Sequence, residues 1–234
     1  MRRGIITILA LFCLVAVGAF PARAQEKPKE KKGPPPKTPA EQMQAFATAL
    51  AEDEKRDLRK LLEGDPQFFT YQNAEGQNAL FALVEVQDPE LLDVVFANAS
   101  NLDHRDSQNK TPLIHYTEKK RVDLVQRLLD KGADPNLTDP AGRSALTYAA
   151  FGGQLEIVRV LLAKDAQVDI ADKGGATPLI YASSGGFHAL ATLLLDAGAN
   201  PNARARNGNT ALKLAQEKNH KMVVRLLQRR GATQ

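Results

Sequence analysis

Apolar residues in this chain recur at a fixed distance rather than in one block. Leu80, Leu113, Leu146, Leu179 and Leu212 each stand 33 residues from the next, and Val95, Leu128, Leu161, Leu194 and Leu227 repeat the interval 15 residues further on. Polar and turn-forming residues keep the same step. Gly76, Asn109, Gly142, Gly175 and Gly208 lie four positions before each leucine, and Asn78, Thr111, Ser144, Thr177 and Thr210 lie two before it. Asp103, Asn136, Asp169 and Asn202 recur near the ends of the units. Self-similarity at a period of this size marks an array of stacked units, each too small to bury its apolar face alone.

Each unit predicts two short helices. The Gly (or Asn109) supplies a turn with positive φ at little steric cost. The Thr or Ser that follows can accept a backbone N–H as an N-cap, and Pro at the first helical position leaves no N–H unpaired. Leu146, Ala149 and Ala150 give the first helix a slim face that lets its neighbours approach, and Gly152-Gly153 ends it. A second helix over Leu155 to Ala163 places Leu155, Val158, Leu161 and Leu162 on one side. Gly132, Gly198 and Gly231 are expected to stop their helices as C-terminal caps.

The pattern weakens at both ends. Glu41 to Glu63 reads as two helices, with Met43, Phe46, Ala47 and Leu50 facing one way and Leu58, Leu61 and Leu62 forming a second stripe. This is expected to be a degenerate N-terminal repeat acting as a cap. The final unit carries Lys213, Gln216, Lys218, Lys221, Gln228, Arg229 and Arg230, a polar enrichment that suits a C-terminal cap with a solvated face.

The 33-residue period, Thr111-Pro112-Leu113, Thr177-Pro178-Leu179 and the endings KGADPN (131–136) and AGANPN (197–202) resemble the ankyrin repeat. The resemblance covers about 73 to 234. It implies an all-α solenoid of helix-turn-helix units joined by β-hairpin or turn connections. The units fall at 73–105, 106–138, 139–171, 172–204 and 205–234, after a capping repeat at 40–72. Phe81, Ile114, Thr147, Ile180 and Lys213 stand where the family signature has His, so stability is expected to lean on apolar packing. The resemblance also implies a noncatalytic protein-interaction module whose partner meets the concave surface of fingertips and first helices. The residues carried onto that surface here are Gln77, Lys110, Glu118, Lys119, Arg143, Phe151, Lys173, Ser184 and Arg206. Phe151 is the only aromatic among them.

The chain opens on Arg2 and Arg3, an uncharged apolar run from Ile5 to Phe20, Pro21, and then Ala22-Arg23-Ala24. The run is 16 residues, short for a membrane-spanning helix. It predicts a secretory signal over 1–24, cleaved near Gln25, and hence a periplasmic or secreted protein. An envelope-anchored scaffold that keeps this segment is the alternative. Residues 25 to 39, QEKPKEKKGPPPKTP, lack large apolar residues and predict a disordered Lys/Pro-rich linker.

Composition narrows the chemistry. The full chain has 31 Lys and Arg against 27 Asp and Glu. Without the signal the balance is nearly even, which gives no support for a nucleic-acid partner. Cys13, the single cysteine, lies within the expected signal, so no disulfide or thiolate site is expected in the mature chain. His104, His115, His188 and His220 show no i, i+4 pair, and no metal or cofactor is expected. A small-molecule or metal-binding protein using the His and Tyr positions remains the less favoured reading. His115, Tyr148 and Tyr181 share one repeat position, read as half-buried packing with polar tips in solvent. Asp106, Asp139 and Asp172 open three units and predict side-chain bonds to turn amides. A monomer is expected.

Overall fold

The computed structural model describes residues 38–51, 55–65 and 67–233. The expected signal, and the expected linker up to residue 37, lie outside them. The chain divides into two compact units, meeting in sequence between Ser107 and Gln108.

In the first unit, helices α1 (Pro39–Ala51) and α2 (Lys55–Gly64) form the expected N-terminal pair. Two 3₁₀ helices follow, Phe68–Thr70 and Ala79–Glu85, and then α3 (Pro89–Asn98). Met43, Phe46, Ala47, Leu50, Leu58 and Leu62 are buried as their spacing predicts, while Leu61 is half-buried. Phe46 and Phe68 pack with ring centroids 5.1 Å apart, and Phe68 meets Phe69 edge-on at 5.6 Å. The helix starts at Pro39, the last residue assigned to the linker.

One expectation changes here. The first helix of the 73–105 unit is wound as 3₁₀, not α. Its cap is Asn78, whose side chain accepts from the Leu80 amide two residues on, while its amide group donates to the Phe69 carbonyl. No glycine closes the helix. The chain turns at once into Asp88-Pro89, with the Asp88 carboxylate capping α3 through the amides of Glu90 and Leu91.

The second unit holds four helix pairs: α4 (Pro112–Glu118) with α5 (Val122–Asp130), α6 (Ala145–Phe151) with α7 (Leu155–Leu162), α8 (Pro178–Ser184) with α9 (His188–Asp196), and α10 (Ala211–Glu217) with α11 (Lys221–Arg229). All five leucines of the first series and all five apolar residues of the second are buried. In α7 the stripe is shifted from the expected one. Ile157, Val158 and Leu161 are buried, whereas Leu155 and Leu162 are half-buried.

The caps follow the sequence with one exception. Thr111, Ser144 and Thr210 each accept the amide three residues ahead. Thr177 does not, and its hydroxyl is buried without a partner. At the C-termini of α5, α9 and α11, Gly132, Gly198 and Gly231 hold φ of +95°, +89° and +81°. Around Gly132 its amide donates to Leu129 and that of Ala133 to Leu128, the two reversed bonds that close a helix on a left-handed residue.

Repeats in this unit are tied by backbone as well as by apolar packing. The Lys173 amide donates to the Ala141 carbonyl at 2.7 Å, and the Arg206 amide to the Gly174 carbonyl at 2.8 Å. The recurrent Asn and Asp residues near the unit ends do similar work. Side-chain oxygens of Asn136, Asp169 and Asn202 accept from the amides of Gln167, Asn200 and Thr233, each 31 residues on. Ile114 and Ile180 fill the positions of the missing histidine with apolar packing, as expected, whereas the buried Thr147 pairs its hydroxyl with that of Ser144 at 3.2 Å. Lys213, at the same place in the last repeat, is exposed, and so is Gln216 where Ala150 and Ser183 are buried.

Candidate functional site

The fingertips of the second unit are built from one device. Asp139 donates its amide to the Arg143 carbonyl and accepts from the Gly142 amide, closing a tight turn in which Gly142 sits at φ +80°. Its carboxylate oxygen Oδ1 takes the amides of Ala141 and Arg143 at 2.8 and 2.9 Å. Asp172 repeats the turn, with Oδ1 on the Ala176 amide. This is the predicted use of these aspartates. A side chain added at Gly142 would meet the Lys173 backbone nitrogen at 3.0 Å, so glycine also permits the close approach of the next fingertip.

The tyrosine ladder corrects an expectation. Tyr148 and Tyr181 are half-buried, but their hydroxyls do not end in solvent. Tyr148 donates to Asp139 Oδ2 at 2.8 Å, and Tyr181 donates to Asp172 Oδ2. The reason is geometric: the second carboxylate oxygen of each turn, not used by the turn amides, faces the first helix of its own repeat. Burial pushes the Tyr181 hydroxyl up to about 12, with the Asp172 bond adding to it, and Tyr148 moves the same way. Burial alone would raise the Asp139 carboxyl. The Arg143 amide and guanidinium and the Tyr148 hydroxyl outweigh it, and the group lies below the usual carboxylate range.

Above this layer the rings form a platform. The Arg143 guanidinium lies 4.7 Å from the Tyr148 ring centroid, while its Nε and Nη2 donate to Asp139 Oδ2 at 3.0 and 2.7 Å. Lys110 Nζ stands 5.5 Å from the same ring and donates to both Glu118 oxygens, at 2.7 and 2.9 Å. Phe151 meets Tyr181 edge-on at 5.8 Å, yet 70% of its surface is open. Glu118, Lys120, Arg143, Thr147, Tyr148, Phe151, Gly152, Gln154 and Tyr181 line a recess of about 380 Å³.

Several predicted contact residues come together here, and others do not. Glu118, Arg143 and Phe151 line the recess, and Lys110 closes on Glu118 beside it. Lys119, Lys173 and Arg206 are exposed. Ser184 is less available, because its hydroxyl accepts from Lys218 Nζ at 2.7 Å. Arg143 is not a free fingertip cation: its partner Asp139 is buried, and the pair holds the turn. Gln77 lies in the first unit, half-buried, with its side-chain oxygen 3.3 Å from the Asn73 amide nitrogen. Among the described residues no group of three His, Cys, Asp or Glu side chains is arranged to hold a metal ion.

A sequence model described as ankyrin repeats in three copies matches residues 46–139, 117–205 and 174–234, which together span most of the chain. The chain belongs to the ankyrin-repeat family. No curated protein matches it. Ankyrin repeats serve in general as protein-interaction modules, and the turn, helix pair and stacked leucines described above are the repeat as this chain builds it.

Sequence reasoning missed Lys120 and Gln154 as recess residues. Both sit just past the ends of first helices, and their position in the unit was the available signal. It also missed a charge division hidden by the near-even total. Residues 38–107 hold five Lys and Arg against fourteen Asp and Glu, whereas residues 108–234 hold eighteen against eleven. The first ankyrin unit is thus strongly acidic and the second strongly basic.

Proposed function

We propose that this ankyrin-repeat protein is a noncatalytic binding module, exported to the periplasm, that docks a protein partner on the fingertips and first helices of its second unit. Phe151 carries the reading. A large ring left open on a platform of tyrosines already committed to Asp139 and Asp172 is a rigid anchor for a partner, and such aromatics dominate binding energy at interfaces. Lys119, Lys173 and Arg206 add exposed cations on the same unit, while the repeating framework is used up in stacking. Export rests on Arg2, Arg3, the Ile5–Phe20 run and Ala22-Arg23-Ala24.

The test pairs Phe151→Ala with Lys173→Glu in affinity capture from the native envelope. Arg143→Glu is unsuitable because it strips the buried Asp139 of its partner. The captured partner should be lost, by about tenfold or more in affinity, with the helical circular-dichroism signal unchanged. Retention of the partner by the folded variant would refute the docking face. N-terminal sequencing of exported protein should begin at Gln25; an intact Met1 would instead support the anchored form.

A further inference from the structure

We infer that the recess beside Phe151 receives an acidic linear segment of the partner, one bulky apolar side chain entering between Phe151 and Tyr148. This rests on the docking face proposed above and names what the face holds. Three observations carry it. The second unit has an excess of seven positive charges, eighteen against eleven. Lys120, which lines the recess, is exposed and forms no ion pair among the described residues, and the same holds for its chain neighbour Lys119 and the fingertip Lys173, whereas Lys110 and Arg143 are already matched to Glu118 and Asp139. Among the lining residues the unmatched charge is therefore positive, that of Lys120.

The lining supplies the rest of the chemistry. Phe151, Tyr148 and Tyr181 give an apolar floor too small for a protein domain but suited to one side chain. Gln154, at the same recess, has a side-chain carbonyl oxygen that is buried with no hydrogen-bond partner. A buried acceptor left unpaired is unfavourable, and a turn of the Gln154 side chain into the recess would let the main-chain N–H of an extended segment satisfy it. Nucleic acid fits less well. The single exposed aromatic among the described residues offers no row of stacking platforms.

The experiment uses the folded full chain, immobilised, to select from a random-peptide library. Synthetic copies of the selected peptides are then measured by fluorescence anisotropy. Selected sequences should gather Asp and Glu around one Leu, Met or Phe. Phe151→Ala should weaken their binding about tenfold or more, and Lys120→Glu with Lys173→Glu should weaken it by a similar factor. Raising the salt to about 1 M, where screening acts within about 3 Å, should weaken it as well. Selected peptides without an acidic bias, or peptides indifferent to Phe151→Ala, would overturn the inference. So would displacement by an oligothymidylate as effective as by unlabelled peptide. Concentration-dependent dimerisation that the peptide abolishes would assign the recess to the acidic unit of a second copy instead. If no peptide is selected while envelope capture still depends on Phe151, the linear segment is refuted and the docking face stands. If capture too is indifferent to Phe151, both fall.

Discussion

Where the backbone turns left-handed, this protein uses glycine at most places and other residues at a few. Asp165 holds φ +59° at the end of α7, the place that Gly132, Gly198 and Gly231 fill in other repeats. Its amide donates to Leu162 and that of Ala166 to Leu161, so the same closing bonds form without glycine. A left-handed L-residue costs about 1–2 kcal/mol, with Asp at the tolerant end, and glycine returns part of any gain through its unfolded-state entropy. Asp165→Gly should therefore stabilise by about 0.5–1 kcal/mol. Gly132→Ala should do the opposite by about 1 kcal/mol, since no atom lies within 4 Å of an added methyl and only the backbone resists. Thermal denaturation followed by circular dichroism reads both, each as a shift of a few degrees at most; a lowered midpoint for Asp165→Gly would contradict the argument. The glycine stops were legible in the sequence because glycine announces positive φ. Asp165 was not, because the conformation there is imposed by its neighbours' bonds and not by its own type. Thr177 shows the converse, a good capping residue in place with its hydroxyl unused.

At the scale of the element, the fingertip and first helix of a repeat act as one piece, joined by Asp139, Arg143 and Tyr148. That joint has a pH signature. The Asp139 carboxyl is lowered from its ordinary 3.8 in the folded state, with burial opposing and the hydrogen bonds from Arg143 and Tyr148 prevailing. A depressed folded value means the stabilisation is complete above the unfolded value and is lost as pH falls through the folded one. Asp123, lowered by its hydrogen bonds from Arg121, adds in the same sense. The free energy of unfolding should be level near neutrality and decline below about pH 4. Asp139→Asn should lower the plateau by about 1–3 kcal/mol, the range for a hydrogen-bonded charge, and flatten the acid decline. Urea unfolding at several pH values checks this, and an undiminished acid slope in the variant would assign the decline elsewhere. The aspartates' role at the turns was legible from their recurrence 33 residues apart, but the tyrosine bonds were not. Repetition marks a shared environment without saying which polar groups in it face one another. The 3₁₀ winding of 79–85 escaped for a related reason: Leu80 and Phe81 keep the apolar register, while the buried bond of Asn78 to Phe69 lies outside any period.

At the scale of the molecule, an array must end without offering its inner face to a further unit. The last repeat here carries two polar residues at places that are buried in the repeats just before it. Lys213 and Gln216 are exposed where Thr147 and Ile180, and Ala150 and Ser183, are covered by a following repeat. The polar enrichment itself was readable because it broke the pattern at known places. The division of charge between the two units was not readable from totals that nearly cancel. A capping role for these two residues predicts a gain of association on their removal. Lys213→Ile with Gln216→Ala would restore an internal face on α10 beside Leu214, which is half-buried, and leave a contiguous apolar patch open. Two such ends should then pair, and sedimentation equilibrium should show a dimer that grows with protein concentration in the variant alone. Because the unit carries an excess of seven positive charges, two copies meeting through it repel, and added salt should strengthen the variant dimer as it screens them. A parent chain that dimerises equally would mean that Lys213 and Gln216 do not terminate the array. A variant dimer weakened by salt would mean that oppositely charged units, acidic against basic, had met instead.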